Sequence, residues 1–265
     1  MLGAIAGDII GSIYERNNHK SKDFPLFTRD STFTDDTVCS VAIADCLMND
    51  PRMDFASYLR AYCNQVPHAG YGGMFKQWLQ DETMGPYNSW GNGGAMRVSS
   101  VYFLEASSLN NLYEVVRATC YPTHNHEDAV SGATAIVIAM YLSSINCHIE
   151  EIRSALSEDF EYDLSLSVED LQNMNLEFDV SARGSVPQAL ICALESTSYE
   201  DAIRNAISVG GDSDTIACMT GAVAEVIHGG VPNEIKKEAY LRLPSKYIEI
   251  IEQVYKIQNE SIHCP

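Results

Sequence analysis

The chain has 265 residues and carries 36 acidic against 17 basic side chains, so its formal net charge is −19. A field of that sign repels phosphate backbones and anionic lipid headgroups, which argues against a protein that binds nucleic acid or membrane surfaces through bulk charge. Because 46% of the residues are apolar, the composition is typical of a globular protein and not of a disordered one. The length predicts a single domain over residues 1–265.

The cysteines and the N-terminal segment predict a cytoplasmic protein. No two cysteines form a CxxC pair, and most lie among apolar residues, as small buried thiols do in a reducing compartment. The first apolar run is interrupted by Asp8 and has no basic region before it, so it does not resemble a signal peptide. The longest apolar run, residues 133–142, is far shorter than the ~20 residues that span a bilayer. The eight cysteines are Cys39, Cys46, Cys63, Cys120, Cys147, Cys192, Cys218 and Cys264.

Apolar residues recur at three- and four-residue spacing along almost the whole chain, and this periodicity predicts helices. No segment shows a convincing strand alternation, and the connections carry helix-stop residues such as Gly229-Gly230. The predicted fold is therefore all-α, a compact orthogonal bundle of many helices. The predicted helices cover residues 3–14, 36–48, 54–65, 94–106, 111–119, 127–144, 148–157, 181–196, 199–208, 214–228, 233–241 and 245–258.

The first predicted helix has a glycine at every fourth position, namely Gly3, Gly7 and Gly11. Because a glycine inside a helix costs about 1 kcal/mol relative to alanine, this stripe predicts that another helix or an acidic loop approaches closely. Asp8 and Glu15 are two turns apart and are expected on one face of the helix. Asp8 is expected to bond neighbouring backbone. Glu15, at the entrance to a long loop, is the better candidate for a catalytic base.

Two predicted loops are longer than the others and chemically unusual. Residues 16–33 are polar with mixed charge, and residues 81–94 include Trp90 and the run Gly91-Asn92-Gly93-Gly94. Long ordered loops in compact domains often carry function. Successive backbone N–H groups of the glycine-rich run could hold phosphate oxygens, although such runs more often only turn the chain.

Two acidic motifs lie far apart in the sequence, Thr34-Asp35-Asp36-Thr37 and Asp212-Ser213-Asp214-Thr215, and each begins a predicted helix. Helix capping explains either motif alone. Together they supply carboxylates and threonine hydroxyls, an all-oxygen donor set that suits Mg²⁺, Mn²⁺ or Ca²⁺ and suits zinc poorly. If the helix starts converge, the carboxylates repel one another unless a cation lies among them. Asp35 and Asp36 point in different directions and could serve two metals ~3.5–4 Å apart.

The segment Thr123-His124-Asn125-His126 precedes the long apolar helix predicted over residues 127–144. Its two histidines could bind substrate or metal, because imidazole serves both purposes. They could also cap the helix, and capping is expected for at least one of them. The sequence leaves open which histidine has which role.

Taken in chain order, four of these segments resemble those of the ADP-ribosylglycohydrolase family, over residues 3 to about 230. They are Gly3-Ala4-Ile5-Ala6-Gly7-Asp8 with Gly11-Ser12 and Glu15, then Phe33-Thr34-Asp35-Asp36-Thr37, then Gly91-Asn92-Gly93-Gly94-Ala95-Met96-Arg97, then Gly210-Gly211-Asp212-Ser213-Asp214-Thr215. The resemblance implies an all-α hydrolase that cleaves the glycosidic bond at ribose C1″ of ADP-ribosyl-arginine or ADP-ribosyl-serine substrates. It also implies two divalent cations, Mg²⁺ or Mn²⁺, at the bottom of an ADP-ribose cleft.

The resemblance assigns roles to individual residues of this sequence. The implied metal ligands are Thr34, Asp35, Asp36, Asp212, Asp214 and Thr215. The implied catalytic residues are Glu15, which would position or deprotonate water, and the ligands Asp36 and Asp212. The implied substrate contacts are Ser89, Trp90, Gly91, Asn92, Gly93 and the histidines His124 and His126, of which at least one would contact substrate.

The expected partner is an ADP-ribosylated protein or a small ADP-ribose conjugate, bound by a monomer. Two alternatives stay open at this point. One is a hydrolase of a small-molecule or nucleic-acid conjugate of ADP-ribose, and the other is a non-catalytic binding member of the fold. The net charge of −19 argues against nucleic acid, and the intact Thr-Asp-Asp and Asp-x-Asp-Thr motifs argue against loss of catalysis.

Overall fold

The computed structural model describes residues 1–106, 108–174 and 178–262. Within these ranges the prediction of an all-α fold is confirmed, and the one β-type pairing is an isolated bridge between Gly91 and Ser181. A turn of 3₁₀ helix spans Asn92–Gly94. The α-helices are α1 Leu2–Gly11, α2 Asp35–Asn49, α3 Phe55–Cys63, α4 Gly73–Gln80, α5 Ser99–Glu105, α6 Leu109–Cys120, α7 Glu127–Ser144, α8 Ile149–Phe160, α9 Val168–Asn173, α10 Ala182–Leu194, α11 Tyr199–Val209, α12 Ser213–Ile227, α13 Asn233–Tyr240 and α14 Ser245–Ile262.

Every predicted helix has a counterpart, but α4 and α9 were not predicted. Both are short, and α4 follows a glycine-rich run that reads as a turn, although Phe75, Trp78 and Leu79 bury one face of it. The predicted helix 94–106 is also wrong in its first half, because the 3₁₀ turn intervenes and α5 begins only at Ser99. Short helices depend on tertiary packing more than on local propensity, which explains why periodicity alone misses them.

Helices α1 and α12 pack backbone against backbone, as the glycine stripe predicts. A Cβ atom on Gly7 would lie 2.1 Å from Ala217 O, and one on Gly3 would lie 2.3 Å from Gly221 O. The two helices run in opposite directions, so the C-terminal end of α1 lies beside the N-terminal end of α12. Because α12 also packs against α7, α10 and α11, this pair forms the centre of the helical core.

The first helix ends earlier than predicted. It stops at Gly11, where the Ser12 N–H donates to Asp8 O, and residues 12–14 form a turn. The expectation that Asp8 and Glu15 share one helix face is therefore wrong, because Glu15 lies beyond the helix. A Cβ on Gly11 would lie only 2.5 Å from Asp214 Cα, so the chain leaves α1 directly beside the second acidic motif.

The loop predicted over residues 16–33 contains neither helix nor strand, and polar contacts hold it against α11. Arg204 Nη1 donates to Lys22 O at 2.7 Å and to Phe24 O at 2.9 Å. Lys22 Nζ lies 2.8 Å from Asp201 Oδ1. These contacts give the loop a defined path beside the start of α12.

The cysteines of the described ranges are unpaired thiols, in agreement with the prediction that they form no disulfide framework. The closest contact joins Cys39 Sγ and Cys63 Sγ at 3.7 Å, and both side chains are buried. Cys264 lies outside the described residues. No helix in residues 1–106, 108–174 or 178–262 has the length and apolarity required to cross a membrane.

Candidate active site

The two acidic motifs meet at the N-terminal ends of α2 and α12. Thr34 is the N-cap of α2 and Asp212 is the N-cap of α12. Thr215 Oγ1 lies 3.5 Å from Asp36 Oδ2, which joins two motifs that are 179 residues apart in sequence. Because helix N-termini carry partial positive charge, both helices favour negative side chains at this point.

Asp8 is a third contributor, and the expectation that it bonds neighbouring backbone is wrong. Its carboxylate is fully buried and does not bond its own neighbours. It accepts hydrogen bonds from Thr34 N at 2.9 Å, from Thr34 Oγ1 at 2.6 Å, and from the backbone N and side-chain Oγ1 of Thr37. Asp8 thus anchors the start of α2 to α1. Its burial inside a glycine-rich helix was the available signal, since a buried carboxylate requires polar partners.

Carboxylate oxygens of Asp8, Asp36 and Asp214 lie within 4.8 Å of one another. Burial and the charge of Asp8 raise the pKa of Asp35 to about 8, and burial together with the charges of Asp8 and Asp214 raises the pKa of Asp36 well above its usual value. The pKa of Asp214 is likewise raised by burial and by Asp212. Burial is the largest cause of each shift, and repulsion from neighbouring carboxylates adds to it.

This cluster fits divalent cations. Asp36 Oδ1 is buried and has no hydrogen-bond partner among the described residues, which is costly for a carboxylate oxygen unless a cation lies beside it. The predicted ligands offer carboxylate and hydroxyl oxygens, the ligand type that Mg²⁺ and Mn²⁺ prefer. The residues that could hold the cations are the predicted ones, Thr34, Asp35, Asp36, Asp212, Asp214 and Thr215, and all six line the same cleft.

The cleft has a volume of about 640 Å³, with the acidic cluster on its floor. One wall is formed by residues 69–76, a second by residues 87–93, and Phe178 and Val180 complete the rim. Trp90 and Phe178 are each more than half exposed at this cleft, which is unusual for large aromatic side chains. A concave site with an anionic floor and exposed aromatic rings is suited to a ligand that combines hydroxyls with a planar base.

The wall formed by residues 69–76 was not among the predicted site residues. Ala69 O accepts a hydrogen bond from Asp35 N at 2.8 Å, and a Cβ on Gly70, which has φ +109°, would lie 2.9 Å from Asp35 Oδ1. Gly72 and Gly73 have no atom near an added Cβ, and α4 begins at Gly73. The first turn of this helix therefore lies at the cleft, where its backbone N–H groups have no intrahelical acceptor. The run Gly70-Tyr71-Gly72-Gly73 was the signal for this wall.

The glycine-rich loop forms the opposite wall, and Asn92 connects it to the floor. Asn92 Nδ2 donates to Asp212 Oδ2 at 2.8 Å, which orients that carboxylate. Asn92 N donates to Val180 O at 2.8 Å, and Ser89 Oγ accepts from Gly91 N at 3.2 Å. The predicted substrate-binding residues Ser89, Trp90, Gly91, Asn92 and Gly93 all line the cleft.

The two histidines, His124 and His126, lie in different places. His124 lines the cleft and is buried, with Nδ1 at 2.8 Å from Thr123 Oγ1. Burial and the nearby Arg97 lower the pKa of His124 well below its usual value, so its ring is neutral at pH 7. His126 is instead the N-cap of α7, where its Nδ1 accepts from Asp128 N at 3.1 Å, and it is not among the residues that line the cleft. The expected capping thus falls to His126.

Glu15 lines the cleft from the loop that follows α1. Its side chain is 29% exposed, and its charge contributes to the raised pKa values of Asp35, Asp212 and Asp214. Glu15 thus combines proximity to the floor with access to solvent, as the partly buried Asp35 also does. A general base must lie within hydrogen-bond reach of the water that it activates.

Sequence comparison agrees with this arrangement. The family model described as ADP-ribosylglycohydrolase matches residues 1–260. The chain belongs to this family of glycohydrolase enzymes. It is 25% identical to human ADP-ribosylhydrolase ARH3 over 309 residues, which covers 86% of this chain and 84% of the relative.

Two further comparisons extend the result. The chain is 22% identical over 286 residues to the ADP-ribosylarginine hydrolase Tri1 of Pseudomonas putida, covering 96% of this chain and 76% of the relative. A solved structure titled "ADP-ribosylglycohydrolase-related protein complex" superposes with a TM-score of 0.72 and 19% identity, over 97% of this chain and 95% of that one. The solved structure confirms the predicted fold type.

Proposed function

We propose that this glycohydrolase hydrolyses the bond between ribose C1″ and the leaving group of ADP-ribosyl-arginine or ADP-ribosyl-serine type substrates, with two divalent cations, Mg²⁺ or Mn²⁺. The observation that carries the proposal is the meeting of the two acidic motifs on the cleft floor, with Asp36 Oδ1 buried and unpartnered among the described residues. A buried carboxylate cluster of this kind is retained for chemistry, because it costs stability.

The proposed cation ligands are Thr34, Asp35, Asp36, Asp212, Asp214 and Thr215. Cations held there would polarise the ribose 2″ and 3″ hydroxyls and would orient and acidify the attacking water. Two of these residues receive support from the protein itself. Asn92 orients Asp212, and Thr34 Oγ1, which donates to Asp8, lies 3.2 Å from Asp36 Oδ2.

Glu15 is the proposed general base. Its carboxylate accepts the proton of the attacking water while the bond from C1″ to the leaving group breaks. Protonated Glu15 then donates that proton to the leaving group, so ADP-ribose and the protonated leaving group are the products. The partial exposure of Glu15 supports this role, since water can reach it from the open cleft. The fully buried Asp36 does not have that access.

The remaining cleft residues are proposed to bind the ADP part of the substrate. The exposed Trp90 ring offers a stacking surface for adenine. The backbone N–H groups of the glycine-rich loop and of the start of α4 are suited to pyrophosphate oxygens. Neutral His124, fixed by Thr123, is a hydrogen-bonding group without charge. An anionic ADP-ribose is thus captured by local groups against a net charge of −19, which favours a protein or small conjugate over nucleic acid.

The test is release of ADP-ribose from purified arginine-linked and serine-linked conjugates, with Mg²⁺, with Mn²⁺ and with EDTA. We expect activity with a divalent cation and none with EDTA. Asp35→Ala and Asp212→Ala should reduce release to background, whereas the matched control Asp159→Ala, an exposed residue of α8 outside the cleft, should not. Full activity of either floor variant with EDTA present would refute the cation assignment.

A further inference from the structure

The position of Glu15 poses a structural question, because no helix holds it. Helix α1 ends at Gly11, and the chain then turns into the loop of residues 16–33. A general base must lie within hydrogen-bond reach of the water that it activates. An error of about 1 Å in such a position can lower the rate about 100-fold. Some contact must therefore define the path of the loop at Glu15.

Asn18 supplies that contact with a single side chain. Its Nδ2 donates to Tyr14 O at 3.1 Å and to Glu15 O at 3.3 Å on its own loop, and to Gly211 O at 3.0 Å across the cleft edge. Gly211 N donates back to Asn18 Oδ1 at 2.8 Å. The amide group thus pairs with the Gly211 backbone in both directions, which requires a donor and an acceptor in one plane.

The partner of Asn18 is the segment that carries a proposed cation ligand. Gly211 directly precedes Asp212, whose carboxylate is oriented from the other side by Asn92. Gly210 and Gly211 have φ values of +76° and +80°, which glycine adopts readily. A Cβ on Gly210 would lie 2.8 Å from Asn18 Oδ1, so the absent side chain makes room for the asparagine.

We propose that Asn18 is a positioning residue that holds the Glu15 carboxylate in register with the Gly211–Asp212 segment. This inference rests on the proposed function, because it takes Glu15 as the base. Among the described residues Asn18 does not line the cleft, so its effect on the reaction passes through Glu15. Hydrogen bonds behind an active residue of this kind typically change activity by roughly 10- to 100-fold.

The experiment compares Asn18→Ala and Asn18→Asp with the matched control Asn17→Ala, a neighbouring exposed asparagine. Asn18→Ala should lower kcat roughly 10- to 100-fold while KM and the affinity for Mn²⁺ change little. Asn18→Asp keeps the acceptor for Gly211 N but loses the donor, so it should not restore kcat. Asn17→Ala should leave kcat, KM and Mn²⁺ affinity unchanged.

Two readouts separate positioning from a general loss of structure. Hydrogen exchange at Gly211 N–H should be faster in Asn18→Ala, because that amide donates to Asn18 Oδ1, while the urea midpoint stays close to that of the parent protein. In a Glu15→Gln background, Asn18→Ala should lower the residual kcat no further, as expected of two residues that act through one group.

Three results would overturn the proposal. The first is a kcat of Asn18→Ala equal to that of the unmodified protein. The second is a loss of kcat on adding Asn18→Ala to Glu15→Gln that equals its loss in the unmodified protein. The third is an unchanged rate of hydrogen exchange at Gly211 N–H. If the unmodified protein is active and Asn18→Ala matches it, only the role of Asn18 fails. If the unmodified protein releases no ADP-ribose with either cation, the proposed function fails, and the role of Asn18 fails with it.

Discussion

The interface of α1 with α12 and the acidic floor of the cleft adjoin each other but are built in opposite ways. The interface brings two backbones together over small residues, and the charges buried at one end of it, the Met1 amino group and Glu225, form an ion pair at 2.6 Å. The floor collects Asp35, Asp36 and Asp214 in a site where burial, and then the charges of neighbouring carboxylates, raise their pKa values. The interface therefore stabilises the fold, and the floor costs stability that the fold must supply.

The largest expected effect comes from breaking the interface. Gly7→Ala should destabilise the protein by about 3 kcal/mol or more, because its Cβ would lie 2.1 Å from a backbone oxygen and neither helix can yield locally. Helix propensity alone would favour alanine by about 1 kcal/mol, so the sign of the change is informative. Urea denaturation measures the change in the free energy of unfolding.

Gly73→Ala, at a helical glycine with open space, is the control and should be neutral or slightly stabilising. A stable Gly7→Ala variant would contradict the close packing of α1 on α12.

An effect of similar size, in activation free energy, is expected at the edge of the floor. Glu15→Gln should keep the fold and the affinity for Mn²⁺ but lower kcat roughly 100- to 10,000-fold, the usual contribution of a general base. Steady-state kinetics with calorimetric titration of Mn²⁺ would separate the two properties. An unchanged kcat would remove Glu15 from the mechanism and leave the cations and their ligands as the source of catalysis.

Burying the floor carboxylates should make the free energy of unfolding depend on pH in EDTA-treated protein. The pKa of Asp35 is raised from 3.8 to about 8 by burial and by Asp8, so the folded state keeps a proton that the unfolded state releases in that interval. The free energy of unfolding is therefore highest below pH 3.8 and falls as the pH rises towards 8, by at most about 1.4 kcal/mol per pH unit.

Asp35→Asn removes this titration and serves as the comparison. We expect it to become progressively more stable than the parent protein from pH 5 to pH 8, as measured by urea unfolding with EDTA. His124, whose pKa is lowered by burial, contributes equally to the pH dependence of both proteins, so its contribution cancels in the difference between them. Saturating Mn²⁺ should restore the stability of the parent protein more than that of the variant. Parallel stability curves would show that Asp35 carries no such cost.

Residue spacing was sufficient to predict the local features. Helical periodicity predicted the all-α fold, and the glycine stripe predicted the close approach that α1 and α12 make. These features depend on which residues recur every three or four positions, and the backbone geometry of a helix converts that spacing directly into a face. The short helices α4 and α9 were not predicted, because they depend on contacts with distant segments.

Motif chemistry predicted which residues would meet, but tertiary structure decided how they meet. Spacing could not show that Asp8 bonds Thr34 and Thr37, that α1 ends before Glu15, or that the run from Gly70 to Gly73 forms a wall of the cleft. Nor could it show which histidine enters the cleft, because His124 and His126 sit in similar local sequence. Each of these outcomes depends on partners tens of residues away, and only the folded chain brings such partners within hydrogen-bond distance.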